Sequence, residues 1–157
     1  MKSVLAPSLV LLFGLAGAPG PSLADPTEEN PEASQLDPDY AAGKKAIEAK
    51  EWGKAIKSLS SAALRDTRNA DIQNYLGFAY RNSGNLDLAF RHYEKALKLS
   101  PRHRGAHEYV GEAYLMAGNL AKAEEHLAAL KEICLIECEE YGDLRAKIAA
   151  YRERGGK

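Results

Sequence analysis

Leu76-Gly77-Phe78-Ala79-Tyr80 and, 34 residues later, Val110-Gly111-Glu112-Ala113-Tyr114 are two copies of one pattern, each followed by the same turn, Gly84-Asn85-Leu86 and Gly118-Asn119-Leu120. The correspondence continues with Ala89 over Ala123, His92 over His126 and Tyr93 over Leu127. A weaker copy precedes them, in which Gly43, Trp52, Ala55, Leu59 and Ala62 fall under Gly77, Leu86, Ala89, Tyr93 and Ala96. Self-similarity at this period marks a stack of supersecondary units, each unable to bury its apolar face alone.

Packing explains why these residue types recur. Gly77, Gly111, Ala89 and Ala123 are small because two helix backbones approach there, and a larger side chain would hold them apart. Tyr80, Tyr114, Tyr93 and Leu127 are expected to fill the space the small residues open, each stabilising by roughly 1.5–3 kcal/mol on burial. Gly84-Asn85 and Gly118-Asn119 suit a left-handed turn between helices; Lys50-Glu51 occupies that place in the first copy and specifies the turn less well. Pro101 stops the second helix of the middle copy, where the other copies have Thr67 and Leu135. The pattern predicts helices near 38–50, 52–65, 71–83, 86–99, 105–117 and 120–134, with a seventh near 139–153. In the seventh, Tyr141, Leu144, Ile148 and Tyr151 share one side, which suits an amphipathic lid over an exposed stack end.

The middle copy, Leu76-Gly77-x-x-Tyr80, Ala89-x-x-x-Tyr93, Ala96 and Pro101, resembles the tetratricopeptide repeat (TPR), and the resemblance covers residues 36 to about 135. It implies an all-α fold, a right-handed TPR solenoid of three helix-turn-helix repeats plus a C-terminal capping helix from about 139, the domain spanning 36–153. TPR domains bind extended peptides or partner helices in a groove lined by the first helix of each pair. Carried onto this chain, the groove would be Tyr40, Lys44, Asn74, Phe78, Arg81, Glu108, Glu112 and Met116, with Tyr75 and Tyr109 at its floor. Lys44, Asn74 and Arg81 would suit a carboxylate, whereas Glu108 and Glu112 would repel one, so a dipolar partner segment is expected, oriented by that gradient. Cys138-Glu139-Glu140-Tyr141 after an earlier cysteine also resembles small exported bacterial TPR proteins, with which no established activity comes.

Residues 1–24 read as a signal peptide. Met1-Lys2 is a short positive start, Val4 to Gly17 is mostly apolar, and Ser22-Leu23-Ala24 offers small residues to a peptidase, so cleavage is expected before Asp25. A periplasmic or secreted bacterial location follows, with no stable membrane insertion afterwards; the apolar run holds Pro7 and is short for a span. Residues 25–35, rich in Pro, Glu and Ser, read as a disordered leader. Lys and Arg number 21 against 22 Asp and Glu, a balance with no electrostatic footprint for nucleic acid or an anionic surface. Cys134 and Cys138 are the only thiols. In an exported compartment a disulfide is the simplest reading, with the chain between them a loop or distorted turn; free thiols or a metal site are the alternatives. Among the histidines, His103 with His107 and His92 with His126 are candidate metal pairs on spacing alone.

No nucleophile-base spacing, phosphate loop or His-Glu-x-x-His is present. The expected function is therefore a non-enzymatic interaction module without cofactor, binding a protein or peptide of unknown identity. The alternatives are a metal-handling or redox chaperone acting through Cys134 and Cys138, and a self-associating structural protein.

Overall fold

The computed structural model describes residues 37–155, and the stretches read as a signal peptide (1–24) and a leader (25–35) lie outside the described residues. Seven helices follow in order: α1 (Pro38–Glu48), α2 (Trp52–Arg65), α3 (Ala70–Asn82), α4 (Leu86–Leu99), α5 (Arg104–Met116), α6 (Leu120–Ile133) and α7 (Glu139–Glu153). Each agrees with its sequence expectation to within two residues at either end. The described residues contain no strand. Consecutive helices pack as hairpins α1–α2, α3–α4 and α5–α6, each hairpin packs on the next, and α7 lies against both α5 and α6. This is a TPR solenoid of three repeats with a capping helix.

Side chains and turns set the helix boundaries. Asn69, Asn85 and Asn119 cap α3, α4 and α6 by accepting from the N–H of Ile72, Leu88 and Lys122, each at 3.1 Å. That satisfies a donor the helix itself cannot. The three hairpin turns share one hydrogen bond shifted by 34 residues. The N–H groups of Glu51, Asn85 and Asn119 donate to the carbonyls of Ala46, Tyr80 and Tyr114 at 2.9 Å or less. This closure needs a left-handed residue just before the donor. Gly84 and Gly118 adopt it at φ +87° and +75°, and Lys50 is forced into it at φ +56°. The first turn thus forms despite its sequence, at a cost of about 1 kcal/mol.

The glycines carry the packing. A Cβ on Gly77 would lie 2.6 Å from the Tyr93 ring, and one on Gly43 would lie 2.5 Å from Leu59. Ala55, Ala62, Ala89, Ala96 and Ala123 are fully buried beside them. The third repeat departs from this scheme. The atoms nearest Gly111 belong to Leu144 of α7, at 2.6 Å from the Cβ position, while Leu127 is only partly buried. The expectation that Leu127 fills this space as Tyr93 does in the middle repeat is therefore corrected. Leu130 explains the change: it replaces the small Ala62 and Ala96 of the earlier copies and is itself fully buried. The 34-residue shift also continues into α7, since Leu144 falls on Val110 and Ile148 on Tyr114. The cap is in register as the first helix of a fourth unit.

Polar ties repeat with the same period. His92 Nδ1 lies 2.9 Å from Gln73 Oε1, and His126 Nδ1 lies 2.9 Å from His107 Nδ1. Tyr80 stacks on His92 and Tyr114 on His126. Burial holds His126 down at about 4, with His107 adding to the shift, so both rings are neutral near pH 7 and one Nδ1–H donates to the other.

Substituting Gly77→Ala should lower unfolding free energy by about 1–3 kcal/mol, because the fully buried Tyr93 ring has nowhere to retreat. Gly142→Ala in α7, where a Cβ would meet nothing within 4 Å, should raise it by about 0.5–1 kcal/mol. Urea titration of the two variants beside the parent reads both signs.

Candidate functional site

The first helices α1, α3 and α5 place a row of aromatic rings along one face. Tyr40 and Tyr75 stand with centroids 6.0 Å apart, Phe78 and Tyr109 at 4.9 Å, and Trp52 at the start of α2 meets Phe78 at 6.1 Å. Two cations of the chain lie over these rings. Lys44 Nζ is 5.7 Å from the Tyr40 centroid and 5.8 Å from that of Tyr75. The Arg81 guanidinium is 5.1 Å from Phe78 and 5.5 Å from Tyr109.

The residues singled out from the sequence fall into four places on this face. Tyr40 and the exposed Lys44 sit together at the α1 end, with Tyr40 itself buried. In the centre are Phe78, half-buried rather than projecting, and Arg81, which is only 7% exposed and bonded to the Glu112 carboxylate. Arg81 and Glu112 therefore neutralise each other, and neither is the free charge that the sequence reading assigned to it. Asn74 and Glu108 line a cleft between α3, α5 and the start of α7. Met116 lies apart, exposed beside Glu112, Lys147 and Tyr151.

Sequence reasoning missed that cleft. It encloses about 400 Å³ and is lined by Asp71, Asn74 and Tyr75 of α3, His103 to Gly105, Glu108 and Tyr109 around α5, and Glu139, Glu140 and Asp143 of α7. His103 caps α5 by accepting from the Ala106 N–H through Nδ1, so its proton resides on Nε2 and is donated to Asp71 at 3.0 Å. That bond holds the Asp71 carboxyl below its ordinary range. Glu108 is different. Burial, with Glu112, Asp143 and Glu140 adding repulsion, pushes its carboxyl up to about 7, against a smaller opposing pull from Arg81. The signal available in the sequence was the Glu139-Glu140 pair, noted only as part of the Cys138-Glu139-Glu140-Tyr141 stretch.

The histidine pairs expected from spacing do not form as such. His103 bonds Asp71, His92 bonds Gln73, and it is His107 and His126 that meet. Among the described residues no group of three or more His, Cys, Asp or Glu is arranged to hold a metal ion. Cys134 and Cys138 have Cα atoms 5.8 Å apart with their sulfurs at bonding distance, and the chain between them is non-helical. The two residues it presents, Leu135 and Ile136, are 97% and 86% exposed. No described helix is long and apolar enough to cross a membrane.

Glu108 makes stability depend on pH with a defined sign. The folded carboxyl keeps its proton to about 7, whereas the unfolded one loses it near 4.5, so the folded state binds more protons between these values. Its contribution is intact below pH 4.5 and falls as pH rises through 7. Glu108→Gln should be indistinguishable from the parent in thermal unfolding at pH 4 and more stable by about 2 kcal/mol at pH 8.

Residues 70–103 match the family described as tetratricopeptide repeat. No curated protein sequence matches the chain. Among solved structures, the chain is similar to the type III secretion translocator chaperone SycD of Yersinia enterocolitica, at 18% identity over 80% of this chain and 88% of that one, with a TM-score of 0.69. It is also similar to PcrH of Pseudomonas aeruginosa in complex with the chaperone-binding region of PopD, at 19% identity over 78% and 95% of the two chains, TM-score 0.68. A third is the first TPR of Spaghetti (RPAP3) bound to the HSP90 peptide SRMEEVD, at 20% identity over 71% and 87%, TM-score 0.61. α3, α4 and the turn after them thus match a tetratricopeptide repeat, and the stack as a whole has the fold of these domains.

Proposed function

We propose that this protein is a non-catalytic interaction module that holds an extended segment of a partner polypeptide along the α1–α3–α5 face. The observation that carries the reading is the half-buried aromatic row of Tyr75, Phe78 and Tyr109, edged by an exposed cation at Lys44 and by carboxylates at the α7 end. Aromatic surface that is accessible yet held rigidly by its neighbours binds with little loss of side-chain freedom. Two of the similar structures hold a segment of another protein, which supports the same use of this fold here.

The partner segment would be dipolar, with acidic character near Lys44 and basic character near α7, because unlike charges steer and orient a docking chain. Arg81 has no part in reading charge, since Glu112 already compensates it. The sequence of residues 1–24 supports export to the periplasm or beyond, and oxidation of Cys134 and Cys138 to a disulfide fits that compartment.

A display selection of random dodecamer peptides on the protein should yield binders whose affinity drops at least tenfold with Lys44→Glu and with Phe78→Ala, while circular dichroism of both variants stays that of the parent. Selected peptides indifferent to both changes would exclude this face. Intact mass of protein recovered from a bacterial periplasm should correspond to a chain beginning at Asp25 and lighter by two hydrogens than its reduced form. A mass that includes Met1, or that is unchanged by reductant, would count against export or against the disulfide respectively.

A further inference from the structure

The cleft between α3, α5 and α7 has one chemical character. Asp71, Glu108, Glu139, Glu140 and Asp143 surround it, and its two basic side chains already face carboxylates, Arg104 with Glu140 at 3.5 Å and His103 with Asp71. At its floor is Asn74, 4% exposed, whose Oδ1 has no hydrogen-bond partner. An amide acceptor removed from water and left unpaired carries a desolvation cost that a donor entering the cleft would remove. Gly105 keeps the approach open, since a side chain there would begin 3.2 Å from Asn74 Nδ2. Tyr75 and Tyr109 form part of the wall, and both already have a cation of this chain lying over the ring. The cleft thus offers carboxylates, an orphaned acceptor and aromatic faces, the set that a guanidinium or ammonium group satisfies at once.

The geometry points to this cleft as a specificity pocket for a lysine or arginine side chain of the polypeptide held along the α1–α3–α5 face, gripped by Asn74, Glu108, Glu140 and Asp143. The inference rests on the proposed groove function and adds the partner's chemistry at one position. One observation favours a polypeptide over a free polyamine. The pocket shares Tyr75 and Tyr109 with the aromatic row, so a bound main chain would run on from it without a break. Because Glu108 keeps its proton to about 7, seating a cation would expel that proton, and binding would tighten as pH rises.

Isothermal titration at low salt with acetylated, amidated peptides of one sequence, an aromatic residue followed by a central arginine, lysine, citrulline or glutamate, tests this directly. Arginine and lysine peptides should bind, citrulline and glutamate peptides at least tenfold more weakly. The arginine peptide should tighten from pH 6 to pH 8, and lose at least tenfold in affinity to the double variant Glu140→Gln, Asp143→Asn, whose residues lie outside the core. Arginine and citrulline peptides of equal affinity would overturn the assignment, as would spermidine binding as tightly as the arginine peptide or a dimer of the protein that the double variant dissolves. If display-selected peptides lose binding to Lys44→Glu and Phe78→Ala but bind the double variant as well as the parent, the pocket falls and the groove stands. Loss of the arginine specificity together with indifference to all four substitutions would remove both.

Discussion

Helix backbones in this stack approach so closely at Gly43, Gly77 and Gly111 that a single methyl group would collide with Leu59, Tyr93 and Leu144. The contact works because a large side chain lies flat against bare backbone, which brings dispersion contacts to near-crystalline density. Everything else is arranged around it. The turns at Lys50, Gly84 and Gly118 set each second helix at the angle that delivers its bulky residue, and the buried alanines keep the flanking surfaces from holding the pair apart. Spacing of the first helices follows, and with it the row of rings from Tyr40 to Tyr109.

The same contact explains what could and could not be read from the sequence. Gly77, Ala89, Tyr93 and Ala96 recur at fixed offsets because each has one partner and little freedom of size, so the helices and the repeat were legible to within a residue or two. The seat of Leu144 on Gly111 was not, because Leu144 keeps the register of Val110 but the glycine expected after it is Arg145, and the repeat pattern is lost there. Lys50 was legible only as a poor turn residue. The structure adds that tertiary packing overrides its preference, since the hydrogen bond from Glu51 to Ala46 closes regardless.

Charges were the least legible part of the candidate site. A charged residue on a helix shows in sequence which face it occupies, but its partner comes from a helix about 30 residues away. Arg81 looked like a groove cation until Glu112 was found bonded to it. Glu108 looked like an ordinary solvated acid, yet it is 8% exposed among carboxylates from two helices. The unpaired Oδ1 of Asn74 has no sequence signature at all. Such features arise from convergence of separate elements, which periodicity does not encode.

Leu144 also bears on the order in which the fold can be completed. The glycines of the first two hairpins are covered by side chains of their own second helices, Leu59 and Tyr93. The third depends on α7 instead. With residues beyond 137 still untranslated, Gly111 would face water and the cluster of Leu115, Leu130, Ile148 and Tyr151 would lack half its members. Until α7 docks, the third unit therefore presents an unsealed apolar surface, and that docking completes the fold.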